Sequence, residues 1–383
     1  MSGLPKLSRR TRWAVPAGAL VVTGAVMAGS LISGAQAAPA LPSRTPAQLL
    51  AEVAQSQGPA LYGSVLETAS LGLPSLPGTG SPTSITSLLS GSHTVKVWYA
   101  GPERYRLALP ASLSETDVVR NGSTTWLWQS TANSVTEISA PADQARPKPM
   151  PAPALTPQQA ASQILAAVGP TTAVSVASNV VVAGQAAYEL VLAPKDARSL
   201  VGQIRIAVDG RNGVPLRVQV FARGALASPA ISVGFTSITF ATPAPADTSF
   251  TPPAGAKITK ENLGQQTAPA GKPTGTGITT IGSGWLAVLE LPSSALTSGS
   301  PGQGPVPANG TSGESAAALA ALIASATVEH GAWGTGRLLH TSLISVLMTD
   351  GGQTFIGAVQ PSVLYAAATK AAATTAPRPP TTP

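Results

Sequence analysis

No cysteine occurs anywhere in the chain. Disulfides, thiolate nucleophiles, cysteine zinc sites and a lipid anchor on the chain's own cysteine are excluded, because each needs a thiol. Charge is scarce too: Asp, Glu, Lys and Arg make up 10% of the residues, and aromatics 4%. The formal net charge of +7 is concentrated at the start, where Lys6, Arg9, Arg10 and Arg12 leave 19 basic against 16 acidic residues in the rest. That small surplus, with no basic cluster interleaved with aromatics, does not supply a phosphate-tracking surface, so nucleic acid is not expected as a partner.

Chemistry-bearing motifs are equally thin. The three histidines, His93, His330 and His340, have no metal-ligand spacing, and no H-E-x-x-H run or nucleophile elbow is present. The glycines of Gly331-Ala-Trp-Gly334-Thr-Gly336 follow a helical pattern and precede a strand, the reverse of the order that presents amides to a pyrophosphate, so they read as a turn. Neither cofactor nor metal is expected. A binding protein is the expectation over an enzyme, with a hydrolase built on His93 or His340 as the weaker alternative.

What the chain does have is glycine (38), proline (36) and short alternating runs, a turn-rich, strand-rich composition. Residues Trp13 to Ile32 carry no charge and span about the ~20 residues of a membrane-crossing helix. Behind the basic start and ahead of Ala35-Gln36-Ala37, they read as an export signal cut before Ala38, or as an uncleaved N-terminal anchor; residues 1–37 are assigned to this role. An exported, extracytoplasmic protein of the cell envelope follows, secreted or tethered.

Thr45-Pro46-Ala47-Gln48 is a helix start: threonine caps, proline sits where its missing N–H costs nothing, and glutamine completes a capping box. Leu49, Leu50 and Val53 supply the apolar stripe. Thr156-Pro157-Gln158-Gln159 repeats the device, with Ile164, Leu165 and Val168 behind it. Strands are expected over 61–71, 93–99, 104–109, 117–120, 124–129 and 135–139. A second series covers 172–177, 185–192, 202–209, 215–221 and 230–240, spaced as in an antiparallel meander at roughly 8 to 12 residues. A Gly/Pro/Ser-rich stretch at 72–92 and a Pro-rich stretch at 141–157 interrupt them, and 264–280 and 293–312 read as linkers. After 281 the sequence suggests a small appendage: a strand at 285–291, an Ala-rich helix at 314–328, a hairpin of 337–349 with 353–359, and a closing helix from Pro361 to about residue 370. Residues 371–383 form a disordered tail.

The fold class read from this pattern is α+β: an incomplete antiparallel β-barrel of about eleven strands covering short helices, with a small C-terminal α/β appendage. The order of elements resembles the LolA-like outer-membrane lipoprotein carrier superfamily. The residues that carry it are the Thr45-Pro46 helix, His93 to Leu109 with its Val-Trp-Tyr-Ala-Gly-Pro centre, Asn121-Gly122 with Trp126-Leu127-Trp128, Gln185 to Leu190, Ile204 to Asp209 and the Phe250-Thr-Pro-Pro-Ala-Gly255 exit. The chain resembles most the actinobacterial version, is similar also to the N-terminal domain of MucB/RseB-type regulators, and carries the resemblance over about residues 45–260, within a half-barrel domain placed at 41–260. The resemblance implies an apolar concavity for an acyl lipid or lipoprotein cargo. The alternative it implies is a sensor module binding a membrane protein such as an anti-sigma regulator.

Such a site needs only an apolar wall, since burying apolar area yields roughly 25 cal/mol per Å². The candidate lining is Tyr105, Leu107 and Leu109; Trp126 and Trp128; Tyr188, Leu190 and Leu192; Ile204 and Ile206; Val218 and Val220; and Phe235, with ordinary core as the competing reading. Arg104 and Arg106, flanking Tyr105, read as solvated surface arginines; in carrier relatives an arginine on an early strand holds a lid.

Overall fold

The computed structural model describes residues 40–55, 58–72, 90–111, 113–139, 156–157, 161, 169–262, 278–294 and 323–375. The export segment, the second helix's stripe (Ile164, Leu165, Val168), the linkers, nearly all of the 72–92 insert and most of the tail lie outside these residues.

Helix α1 (Pro46–Gln55) starts as its sequence dictates. The Thr45 N–H donates to Gln48 Oε1 at 2.8 Å and the Gln48 N–H donates to Thr45 Oγ1 at 3.3 Å, the reciprocal pair of a capping box. Thirteen strands form the main sheet: β1 (Leu61–Ser70), β2 (Ser90–Gly101), β3 (Arg104–Ala111), β4 (Ser114–Asn121), β5 (Thr124–Gln129), β6 (Ser134–Ser139), β7 (Thr172–Val176), β8 (Val180–Val182), β9 (Gln185–Pro194), β10 (Val201–Asp209), β11 (Pro215–Ala222), β12 (Ile231–Thr239) and β13 (Lys257–Asn262). The order β13-β6-β5-β4-β3-β2-β1-β12-β11-β10-β9-β7, with β8 also on β9, leaves the sheet curved and unclosed. Bulges in β1–β12 and β10–β11 add local twist.

Two strands exceed the expected eleven. The β8–β9 hairpin turns through Ala183 (φ 49°) and Gly184 (φ 78°), both left-handed, where the favoured sequence is Asn-Gly. The alanine hides this turn from a reader looking for turn residues. Strand β13 follows the Pro-rich exit and runs parallel to β6, with Lys257 opposite Ser134; no local pattern announces a parallel partner more than a hundred residues away.

The C-terminal region makes its own six-stranded sheet, in the order β14 (Thr279–Ile281), β15 (Val288–Pro292), β19 (Gln353–Gly357), β18 (Ser345–Thr349), β17 (Gly334–His340), β16 (Thr327–Gly331). Helix α2 (Pro361–Thr375) packs Leu364, Ala367 and Ala368 against Leu347 and Phe355. The Ala-rich helix does not reach Val328: Ile323 and Ala324 are helical, and the β-branched pair Thr327-Val328 enters β16 instead. The long hairpin arm expected at 337–349 is two strands, because Thr341 breaks it. Its Oγ1 accepts from the N–H of Ile344 at 3.0 Å, closing a tight turn over Thr341–Ile344.

That turn joins the two sheets. Ser342 donates its backbone N–H to the Leu71 carbonyl at 3.1 Å, and Leu343, 4% exposed, belongs to the apolar cluster of Leu71, Leu190, Ile204 and Val218. A bridge of Ser199 with Val359, a Leu200 N–H to Ala358 carbonyl bond of 2.9 Å and a Trp285 Nε1–H to Thr172 Oγ1 bond of 2.7 Å complete the junction.

Replacing Ala183 by Asn, which tolerates the left-handed conformation, should stabilise the protein by about 1 kcal/mol in urea titration. A loss of stability would contradict a positive φ at this position.

Candidate functional site: one apolar face of the main sheet

Cross-strand register assigns every side chain to one of two faces, since partners opposite each other point the same way and neighbours along a strand point apart. Leu190 pairs with Ile206, Ile206 with Val218, and Val218 with Val233. Beyond the β12–β1 bulge, Phe235 pairs with Val65 and Val65 with Val95. Val97 then pairs with Leu107, Leu107 with Val118, Val118 with Leu127, and Leu127 with Thr136. One face therefore carries an apolar row from β9 to β6.

Of the expected lining residues, Tyr105, Leu107, Leu109, Tyr188, Leu190, Leu192, Ile204, Ile206, Val218, Val220 and Phe235 lie on this face. Trp126 and Trp128 do not: they pair with Val119 and Asp117 and point to the other side. The residue between them, Leu127, takes the place they were expected to fill, next to Val118 and Ile138, which sequence reasoning also left out. The signal was the Asn121-Gly122-Ser123-Thr124 turn, which fixes Asn121 opposite Thr124 and so Val118 opposite Leu127.

The face is not uniform. Toward β9–β11 it is filled: Leu190, Leu192 and Ile206 are 0% exposed, packed with Leu49 and Val53 of α1 and Ala161. Each such side chain stabilises the fold by about 1.5–3 kcal/mol. The Tyr188 hydroxyl donates to the Pro42 carbonyl at 2.7 Å, and the Arg44 guanidinium lies 5.3 Å over its ring, pinning the chain that leads into α1. Toward β3–β6 the same face is looser, with Tyr105, Leu107, Leu127, Thr136 and Ile138 half-buried. At its edge Arg120 donates to Glu103 at 3.0 Å.

The opposite face under β2–β5 is a core of its own. The chain after β12 crosses it with a 3-10 turn at Pro245–Thr248, and Phe250 meets Trp126 with ring centroids 6.1 Å apart. Arg106 is on this face and is not a solvated surface group: it holds Asp117 at 2.5 Å and lies 5.4 Å over Trp98. It holds no lid backbone among its described bonds; its partners are these two side chains and, more distantly, Glu115.

Asp117 is 1% exposed, and its Oδ1, Arg106 Nε and Trp128 Nε1 have no hydrogen-bond partner. Burial pushes the Asp117 carboxyl up to about 6, with Arg106 opposing and Glu115 reinforcing the rise. His340 Nδ1 is 2.9 Å from Ser345 Oγ, but that serine is fully buried and its hydroxyl donates to the Val359 carbonyl at 2.7 Å, so the pair is a cross-strand tie. No group of three or more potential metal ligands exists among the described residues.

No family model matches the chain, and no curated protein matches it in sequence. Among solved structures it is similar to MucB in the Pseudomonas aeruginosa MucA/MucB complex, at 15% identity over 84% of this chain and 96% of that one, with a TM-score of 0.42. A second structure, of MucB alone, gives 16% identity, 85% and 96% coverage and a TM-score of 0.38. A LolA superfamily protein from Nitrosomonas europaea matches at 10% identity over 54% of this chain and 99% of its own, with a TM-score of 0.23. At these scores no ligand or partner transfers.

Asp117 gives a pH prediction. Its folded carboxyl titrates at about 6, above the ordinary 3.8, so the folded state holds this proton more tightly than the unfolded chain. The contribution is fully present below about pH 4 and is lost as pH rises through 6. The stability of wild type relative to Asp117→Asn, measured by urea titration, should therefore fall between pH 4 and pH 7. A difference that stays flat across that window would show that burial does not raise this group.

Proposed function

We propose that this is an extracytoplasmic cell-envelope protein that binds acyl chains, of a lipid or of a lipoprotein, on the apolar face of its curved sheet. Residues 1–37 act as its export signal or anchor, residues 41–260 hold the site, and residues 281–370 form the docked appendage. The observation that carries the reading is the change along one continuous face. The row that is fully packed under α1 at β9–β11 continues without a change of parity to half-buried Leu107, Leu127 and Ile138 at β3–β6. A wall of this kind removes acyl surface from water with no need for a charged partner.

No helix among the described residues is long and apolar enough to cross a membrane.

A second reading, a sensor module that binds the extracytoplasmic part of a membrane regulator, is favoured by one feature. Strand β16 is an outer strand of the small sheet, and its Val328 is 56% exposed. An edge of that sort offers backbone groups to an added strand. The two readings are compatible, since a regulator can respond to a lipid held on the larger sheet.

The test uses the neutral reporter N-phenyl-1-naphthylamine, whose fluorescence rises in apolar surroundings. Leu127→Arg should weaken its binding by about tenfold, because the guanidinium must be carried onto the apolar face. Thr94→Arg, exposed and on the other face, should leave it unchanged, provided both variants keep the wild-type circular dichroism spectrum. Equal binding by wild type and Leu127→Arg would remove this face as the site.

A further inference from the structure

The apolar face carries one acid whose partners do not account for it. Glu67 on β1 lies opposite Val233 of β12 and opposite His93 of β2, two residues along the strand from Val65. By register it therefore stands on the same face as Leu107, Val218 and Ile206. Its Oε2 is buried and has no hydrogen-bond partner. Burial raises its pKa, and the neighbouring His93 only partly opposes the rise. A desolvated carboxylate oxygen left unpaired costs free energy that a ligand can recover.

Position adds to this. Beyond Glu67, the ends of β1 and β2 open outward: Ser70, Gly91 and Ser92 are exposed. In the other direction the face runs through Val65, Val95 and Val97, all buried. Val233, opposite Glu67, and Val218, opposite Val233, belong to the two different apolar clusters of the sheet. Glu67 thus sits where those clusters meet and near the outer end of the strands. Arg120, on this face at the far end, is already committed to Glu103.

We propose that Glu67, with His93 beside it, is the head-group subsite of the acyl site, and that it selects an amphiphile whose polar group is uncharged and donates hydrogen bonds. Hydroxyls of an acylglycerol or the N–H of an acyl amide fit it. A free fatty-acid carboxylate or an alkyl phosphate brings a second negative charge to a desolvated acid and is disfavoured. A cationic head is not required, because a hydroxyl or amide donor satisfies a carboxylate oxygen without bringing charge. This inference rests on the acyl-binding reading and specifies its ligand class.

The experiment displaces N-phenyl-1-naphthylamine from the purified protein at pH 8 with three amphiphiles of equal chain length: monolauroylglycerol, dodecanoate and dodecyl phosphate. Wild type should release the reporter at about tenfold lower monolauroylglycerol than dodecanoate, and dodecyl phosphate should be no better than dodecanoate. Glu67→Gln keeps the shape and a donor–acceptor amide but removes the charge. It should narrow that ratio to about threefold or less, mainly through tighter dodecanoate binding.

An unchanged ratio in Glu67→Gln, or an anionic head preferred by wild type, overturns the subsite while leaving the acyl site standing. A melting temperature that shifts with no change in the ratio has the same meaning, since it marks a purely structural glutamate. If neither the reporter nor any amphiphile binds wild type, the acyl-binding reading falls and this inference falls with it.

Discussion

A sheet that buries one face must keep every strand in a single register, because a slip of one residue would turn the whole apolar set of a strand to the wrong side. In this protein the constraint runs from β9 through β12 and β1 to β6. It is maintained across a bulge that inserts one residue opposite Ser64-Val65 and so preserves the pairing of Phe235 with Val65. The short turns at Gly122 and Gly213, both with positive φ, hold neighbouring registers at their closed ends. At the second of these, Asp209 Oδ1 accepts from the N–H groups of Arg211 and Asn212.

The same constraint explains where charge is tolerated. Glu189, buried on the face away from α1, is held between Arg205 at 3.4 Å and Arg217 at 3.2 Å. Asp117 is held by Arg106 on that same side. Three of the ion pairs are thus collected on one face, while the other carries Glu67 beside His93 and Arg120 with Glu103. The small sheet adds to the apolar side by inserting Leu343 beside Leu190 and Ile204, so the appendage is also a wall of the first core.

Much of this was legible locally. The Thr45–Gln48 capping box, the Asp209–Gly213 turn and eleven strands follow from residues adjacent in sequence, where capping, φ preference and alternation act. What was not legible depended on distant partners. Nothing near Lys257 says that it will lie parallel to Ser134, and an Ala-Gly turn gives no warning of β8. Trp126 and Trp128 were expected on the ligand side because large aromatics suggest a lining. Register assigns that side to Leu127, and Phe250, more than a hundred residues later, covers Trp126. Leu343 reads as part of a strand and becomes core of the other sheet only through the Thr341 turn.

On the function proposed for this protein, the apolar face of the large sheet holds acyl chains. This is tested most directly by purifying the protein from its native host without detergent and measuring bound lipid by native mass spectrometry. The account predicts a discrete mass increment of one acyl-bearing species per chain, lost in Leu127→Arg. Protein that is repeatedly empty, or an increment that persists unchanged in Leu127→Arg, would contradict it.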